Sequence, residues 1–270
     1  MAYNNLGSAI QASGRFEEAI KFYKSAIELK PDYDEAYYNL GNTLQACNLL
    51  KEAIVIYKHA IALKPNDADI HNNLANALRK SGKPDEALKS YKQAAMFKPD
   101  NSKILCNLGA AFQELDNLDE AIVNYQEAII LKPDNAKAHS NLGTALKNQN
   151  RLEEAEKSHN LAIELKPDYA EAHNNLGTTL QSSGRLEEAI QSYRKAIMLR
   201  PNYAEAHYNF GNALKEQSKF DEALLSYKRA VTIKPDYVEA HNNLGITLQE
   251  QSQFTEAAES YSRAIELKPD

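Results

Sequence analysis

A Lys-Pro or Arg-Pro pair returns every 34 residues along this chain. The pairs are Lys30-Pro31, Lys64-Pro65, Lys98-Pro99, Lys132-Pro133, Lys166-Pro167, Arg200-Pro201, Lys234-Pro235 and Lys268-Pro269, with no insertion or deletion between them. A strict period of this length means one pair of helices per copy. A single pair cannot bury its own apolar face, so copies stack on one another into a solenoid. Solenoids bind along their length and seldom do chemistry, so the period points to recognition.

With each repeat numbered 1 to 34 so that proline falls at position 32, two helical stripes emerge. Apolar residues occupy positions 3, 7, 10, 11 and 14, then 17, 20, 21, 24, 27, 28 and 30. Position 20 is Ala from Ala19 to Ala257, and position 27 is Ala from Ala26 to Ala264. All ten glycines lie at position 8 or 15. Glycine inside a helix costs about 1 kcal/mol relative to alanine. Its recurrence at position 8 implies that two helices touch there and leave no room for a Cβ. Eight of nine prolines sit just past the second helix and stop it, while Pro84 opens a second helix. Glu at position 19 of every copy, Glu18 through Glu256, lies in the first turn of helix B, and the Lys or Arg at position 31 lies in its last turn, both suiting the helix dipole. Asp or Asn at position 33 is placed to cap the next helix A. With Glu at position 2 it makes a capping-box spacing, as from Asp168 to Glu171.

These residues resemble the tetratricopeptide repeat (TPR) over the whole chain. They include Leu at position 7 (Phe210 once), Gly at position 8 (Ala75 once) and Tyr at position 24 (His159 once). The resemblance implies an all-α, right-handed α-solenoid superhelix of eight helix-turn-helix repeats. It is one array with repeats 1–33, 34–67, 68–101, 102–135, 136–169, 170–203, 204–237 and 238–270.

Net charge is −6, with signs interleaved and no basic patch, so nucleic acid is not an expected partner. No apolar run reaches membrane-spanning length, so no membrane is expected either. Met1 to Asn5 already belong to a repeat and do not form a signal peptide. Cys47 and Cys106 occupy different repeat positions and are not expected to pair, which favours a cytoplasmic chain.

No nucleophile grouping, phosphate loop or metal-ligand spacing recurs, so neither catalysis nor a cofactor is expected. His71, His139, His173, His207 and His241 all occupy position 4, one repeat apart. They read as half-buried packing residues, with burial expected to lower their pKa values, rather than as ligands of a metal.

The asparagines differ. Position 6 is Asn in all eight copies: Asn5, Asn39, Asn73, Asn107, Asn141, Asn175, Asn209 and Asn243. It lies about 140° from the centre of the core stripe of helix A, and helix propensity does not favour Asn. Position 5 varies freely beside it. An amide side chain offers the donors and the acceptor that a peptide unit needs, so such a row can grip an extended backbone. This resembles the asparagine ladder of O-linked N-acetylglucosamine transferases, and implies an extended protein or peptide ligand in the concave groove. The acids Glu35, Asp69, Glu171, Glu205 and Glu239 match a second row in those proteins, which Lys103 and Lys137 interrupt. The bland alternative is that these Asn side chains hydrogen-bond between adjacent helices or cap locally. Asn42, Asn76 and Asn212 at position 9 are further candidates, although the clamp for chaperone carboxylates also needs Lys at position 5, which is absent.

The expected function is thus an interaction scaffold. Its alternatives are the substrate-recruiting arm of a glycosyltransferase-like enzyme whose catalytic domain lies elsewhere, and a self-assembling array. The chain runs from position 2 to position 33, which suggests a piece of a longer protein. Ala257, Tyr261 and Ala264 would then form an outward face able to join a second copy end to end.

Overall fold

The computed structural model describes residues 1–269 and is all-α. Its backbone groups into two compact units, Met1–Pro133 and Asp134–Asp270, and Asp270, the last residue of the eighth repeat, lies outside the described residues. The first unit holds α1 (Ala2–Ala12), α2 (Phe16–Leu29), α3 (Asp34–Ala46), α4 (Leu50–Leu63), α5 (Ala68–Lys80), α6 (Pro84–Phe97), α7 (Ser102–Glu114) and α8 (Leu118–Leu131). The second holds α9 (Ala136–Asn148), α10 (Leu152–Leu165), α11 (Ala170–Ser182), α12 (Leu186–Leu199), α13 (Ala204–Glu216), α14 (Phe220–Ile233), α15 (Val238–Glu250) and α16 (Phe254–Leu267). Within each unit every odd helix (helix A) packs mainly on the next even one (helix B), and each B helix on the following A helix. Each unit thus forms the expected all-α stack of helix pairs, four repeats to a unit.

Each A-to-B turn pivots on position 15. Its residue has φ between 58° and 80° in all eight repeats: Gly14, Asn48, Gly82, Asp116, Asn150, Gly184, Ser218 and Ser252. The next residue's N–H donates five residues back, as Arg15 does to Ile10 (3.2 Å) and Lys219 to Leu214 (2.9 Å), the Schellman pattern that closes a helix. Serine gains little in this left-handed region, where a Cβ crowds the following carbonyl. Ser218→Gly and Ser252→Gly are therefore expected to raise stability by about 0.5–1 kcal/mol each. Denaturant melts of the single and double variants check this, and a loss in both would show that the serine hydroxyls matter more than the backbone.

The glycine at position 8 answers to the aromatic ring at position 24. A Cβ on Gly41 would stand 2.6 Å from Cε1 of Tyr57, and one on Gly177 would stand 2.6 Å from Cε1 of Tyr193. Those rings are fully buried, as are the alanines at position 20 beside them, such as Ala53 and Ala189. Each phenol then reaches back to helix A. Tyr57 Oη donates to Asn42 Oδ1 (2.7 Å) and lies 3.0 Å from Gln45 Oε1, and Tyr193 Oη donates to Gln181 Oε1 (2.9 Å). The small residues let the helices close, and the phenol fixes how they are aligned.

Two expectations about helix ends are corrected. Asp168 does not cap α11, because the N-cap is the next residue, Tyr169. Position 34 is the capping position, and a side chain serves there only where it can accept a bond, at Asp67, Asn101 and Asn135. The four repeats with Tyr at position 34 use it differently. Lys30, Lys166, Arg200 and Lys234 lie 4.6–5.2 Å over the rings of Tyr33, Tyr169, Tyr203 and Tyr237. These cations at position 31 are the C-cap residues of helix B rather than members of its last turn. Each inter-repeat turn is held by a cap bond or by a cation on a ring, according to one residue.

Candidate functional site

The position-6 asparagines occupy the exposed side of the A helices, where Asn5 is exposed and the other seven are half-buried. Their amide nitrogens are not idle. Asn39 Nδ2 donates to Asn4 Oδ1 (3.1 Å), Asn107 Nδ2 to Asn72 Oδ1 (2.9 Å) and Asn209 Nδ2 to Asn174 Oδ1 (3.0 Å), each reaching position 5 of the preceding repeat. Where position 5 is Tyr, the main acceptor moves to position 9. Asn73 Nδ2 donates to Asn42 Oδ1 (2.8 Å), and Asn243 Nδ2 to Asn212 Oδ1 (2.9 Å). Asn175 reaches both Ser140 Oγ and Thr144 Oγ1, at 3.3 Å. The bonding between helices named above as the alternative thus occurs, in at least six of the eight copies. It also accounts for position 5: its residues change identity and still meet the Asn amide in every one of these six joints.

This use consumes donors more than acceptors. The Oδ1 atoms of Asn39, Asn107, Asn209 and Asn243 meet no hydrogen-bond partner among the described residues. The inter-repeat bond orients each amide, and leaves a carbonyl on the half-exposed side. Asn42, Asn76 and Asn212 are engaged through Oδ1, which accepts from Tyr57, Tyr91 and Tyr227 at 2.7 Å.

Two acids of the row, Asp69 and Glu171, pair within their own repeat, while Glu35 accepts from Asn4 Nδ2 of the preceding repeat at 3.3 Å. Arg200 Nη2 lies 2.6 Å from Glu171, and Lys98 Nζ lies 4.0 Å from Asp69. At position 1, Lys64 Nζ lies 2.5 Å from Asp34 and holds that carboxyl below its ordinary range. In these three repeats the cation at position 31 balances an acid at position 1 or 2. The sequence showed both charges but not their meeting, which spans about one repeat of chain.

The position-4 histidines have a role that the sequence reading missed. Nε2 of His71, His173, His207 and His241 donates to the carbonyl of Pro65, Pro167, Pro201 and Pro235, at 2.8–3.1 Å. The proline six residues upstream is the signal that could have shown it. Burial pushes His173 and His207 down from the ordinary histidine pKa, against the opposing pull of these bonds. Among the described residues no group of three His, Cys, Asp or Glu side chains could hold a metal, no helix is long and apolar enough to cross a membrane, and Cys47 and Cys106 form no disulfide.

The face expected at the end of repeat eight is corrected for its two alanines. Ala257 and Ala264 are 3% and 8% exposed and pack inward, while the exposed apolar residues of α16 are Phe254 (66%) and Ile265 (64%). Tyr261, the third residue of that face, is only half-buried, whereas Tyr57, Tyr193 and Tyr227 at the same repeat position are fully buried.

Comparison with known proteins agrees with the helical-repeat fold. A family model described as the cilia and flagella-associated protein 70 C-terminal domain matches residues 33–233, flanked by matches to models described as TPR repeat at 7–48 and tetratricopeptide repeat at 238–270. The chain belongs to the tetratricopeptide repeat family. No curated protein matches this TPR chain in sequence. Among solved structures it is similar to the Cut9-Hcn1 hetero-tetramer of the APC/C, with 18% identity and a TM-score of 0.75, over 91% of this chain and 48% of that one. It thus spans about half of that relative's length. A tetratricopeptide repeat protein from Parabacteroides merdae ATCC 43184 aligns with a TM-score of 0.79 at 18% identity, over 92% of this chain and 98% of that one. YrrB, described as a TPR protein with an unusual peptide-binding site, is 26% identical with a TM-score of 0.55, over 68% of this chain and 95% of YrrB.

Proposed function

We propose that this TPR chain is a protein-interaction scaffold whose asparagine row reads the backbone of an extended peptide. The observation that carries this reading is the half-used amide. Its Nδ2 is tied to the previous repeat, and its Oδ1 in Asn39, Asn107, Asn209 and Asn243 meets no partner among the described residues. An acceptor held in place loses little freedom when it takes a peptide N–H, and repetition at one rung per repeat suits a strand without turns. The peptide-binding site described for YrrB supports a peptide as the kind of ligand.

A displayed peptide library selected on the chain supplies ligands for the test. If the row reads backbone, N-methylation of single peptide amides should weaken binding about tenfold at the contacted positions, since each removes a donor and adds bulk. Replacing the peptide's side chains one by one should matter less. Indifference of every selected ligand to N-methylation would show that the row does not read backbone.

A further inference from the structure

α12, α13 and α14 enclose a groove of about 350 Å3 whose walls include Arg194, Met198, Phe210, Leu225 and Arg229. It lies on the far side of α13 from Asn209, because His207 and Phe210, which also line it, project away from that residue around the helix. Met198 and Leu225 are 74% and 70% exposed, on B helices whose equivalent positions usually carry at least one polar or charged residue. Phe210 is the one Phe at position 7.

The charges are as unusual as the apolar floor. Arg194 holds its guanidinium carbon 5.7 Å from the centre of the Phe210 ring, and its nearest carboxylate oxygen, on Glu222, is 3.8 Å away. Arg229 donates to a neutral acceptor, Asn202 Oδ1, at 3.2 Å. Neither guanidinium is engaged by a close bidentate carboxylate, although the chain as a whole carries −6. The positions equivalent to Met198 and Leu225 are apolar in one other place, at Met96 and Val123, and there Lys92 and Glu127 stand where the two arginines are here. Paired cations beside an exposed apolar floor therefore mark this groove alone. Stacked arginine is preorganised for carboxylates and is enriched at the energetic centres of interfaces.

We propose that this groove is a second docking site, taking an acidic segment of a partner protein. The segment sets one large apolar side chain between Met198 and Leu225, and carboxylates against Arg194 and Arg229. It is independent of the asparagine row.

The probe is a fluorescein-labelled hexapeptide, Glu-Asp-Leu-Phe-Asp-Glu, with a twin in which Lys replaces all four acids. Fluorescence anisotropy should show saturable binding of the acidic peptide, weakening on added salt, and none of the twin. The double variant Arg194→Glu, Arg229→Glu and the single variant Leu225→Ser should each lose tenfold or more. All three changes are at the surface, and circular dichroism verifies that the helices persist. Substituting the ladder asparagines should leave this binding unchanged. Equal binding of the two peptides, or charge-reversed protein that binds like the parent, overturns the proposal. So does a dimer in sedimentation that Leu225→Ser dissociates without any peptide binding, which would assign the groove to a second copy. Binding to phosphatidylserine vesicles with no peptide binding overturns it as well.

Discussion

Replacing Asn107, Asn141, Asn175 and Asn209 with Ala is expected to weaken binding of a selected peptide by well over tenfold. Each lost neutral hydrogen bond contributes about 0.5–1.5 kcal/mol net, and four act together. Melting should fall too, because Asn107, Asn175 and Asn209 also donate between repeats. The control separates the two effects. Asn72→Ala with Asn174→Ala removes the acceptors of Asn107 and Asn209 but leaves the ladder amides present. This pair should lower stability and lose much less affinity than the quadruple variant. An unchanged affinity in the quadruple variant would sink the ladder, whatever happened to its melting. Equal losses in both variants would mean that rigidity, and not contact, governs binding.

The second large effect centres on His159, which takes the place of the repeated tyrosine. It is fully buried under Gly143, and neither ring nitrogen meets a hydrogen-bond partner among the described residues. Burial pushes its pKa down to about 3, aided by Lys147. The unfolded chain takes up a proton near pH 6.5 and the folded one does not. Stability is therefore complete above pH 6.5 and is lost as pH falls toward 3. The slope is about 1.4 kcal/mol per pH unit, or about 3 kcal/mol by pH 4.5. His173 and His207 add to the same trend with smaller weight, since they are only half-buried.

His159→Tyr should reverse this. The phenol would meet Thr144 at the spacing by which Tyr23 meets Ser8, at 3.2 Å. Removing two orphaned nitrogens is expected to add about 2 kcal/mol at pH 7 and to flatten the acid limb. Because repeats in a solenoid melt semi-independently, hydrogen exchange resolved to α9 and α10 is the sharper readout. A variant that gains nothing at pH 7 and keeps the full acid dependence would show that His159 is better satisfied than its surroundings suggest.

How far the residues could be read in advance follows from the range of the forces involved. The 34-residue period, the two helices of each repeat, the proline stops and the recurring alanines were all open to inspection. They depend on backbone sterics and on periodicity within one helix, which act over a few residues. The asparagine row was visible for the same reason, as one side of helix A. Capping was misplaced by one residue, from Asp168 to Tyr169, because the exit from helix B uses up the intervening position in a turn.

What the tertiary structure decided is partner choice. Gly41 meets Tyr57 across 16 residues, Asn107 meets Asn72 across 35, and Arg200 meets Glu171 across 29. Such contacts exist only once helices close to the distance that their small residues permit, and composition does not reveal them. The variable residues at position 5 looked unconstrained until the acceptor for the next Asn was seen to come from position 5 or position 9. The groove of Arg194, Phe210 and Arg229 arises from three separate helices. Single-helix periodicity determines which residues face inward, whereas the hydrogen bonds and charges that meet there are set by how one helix lies against the next.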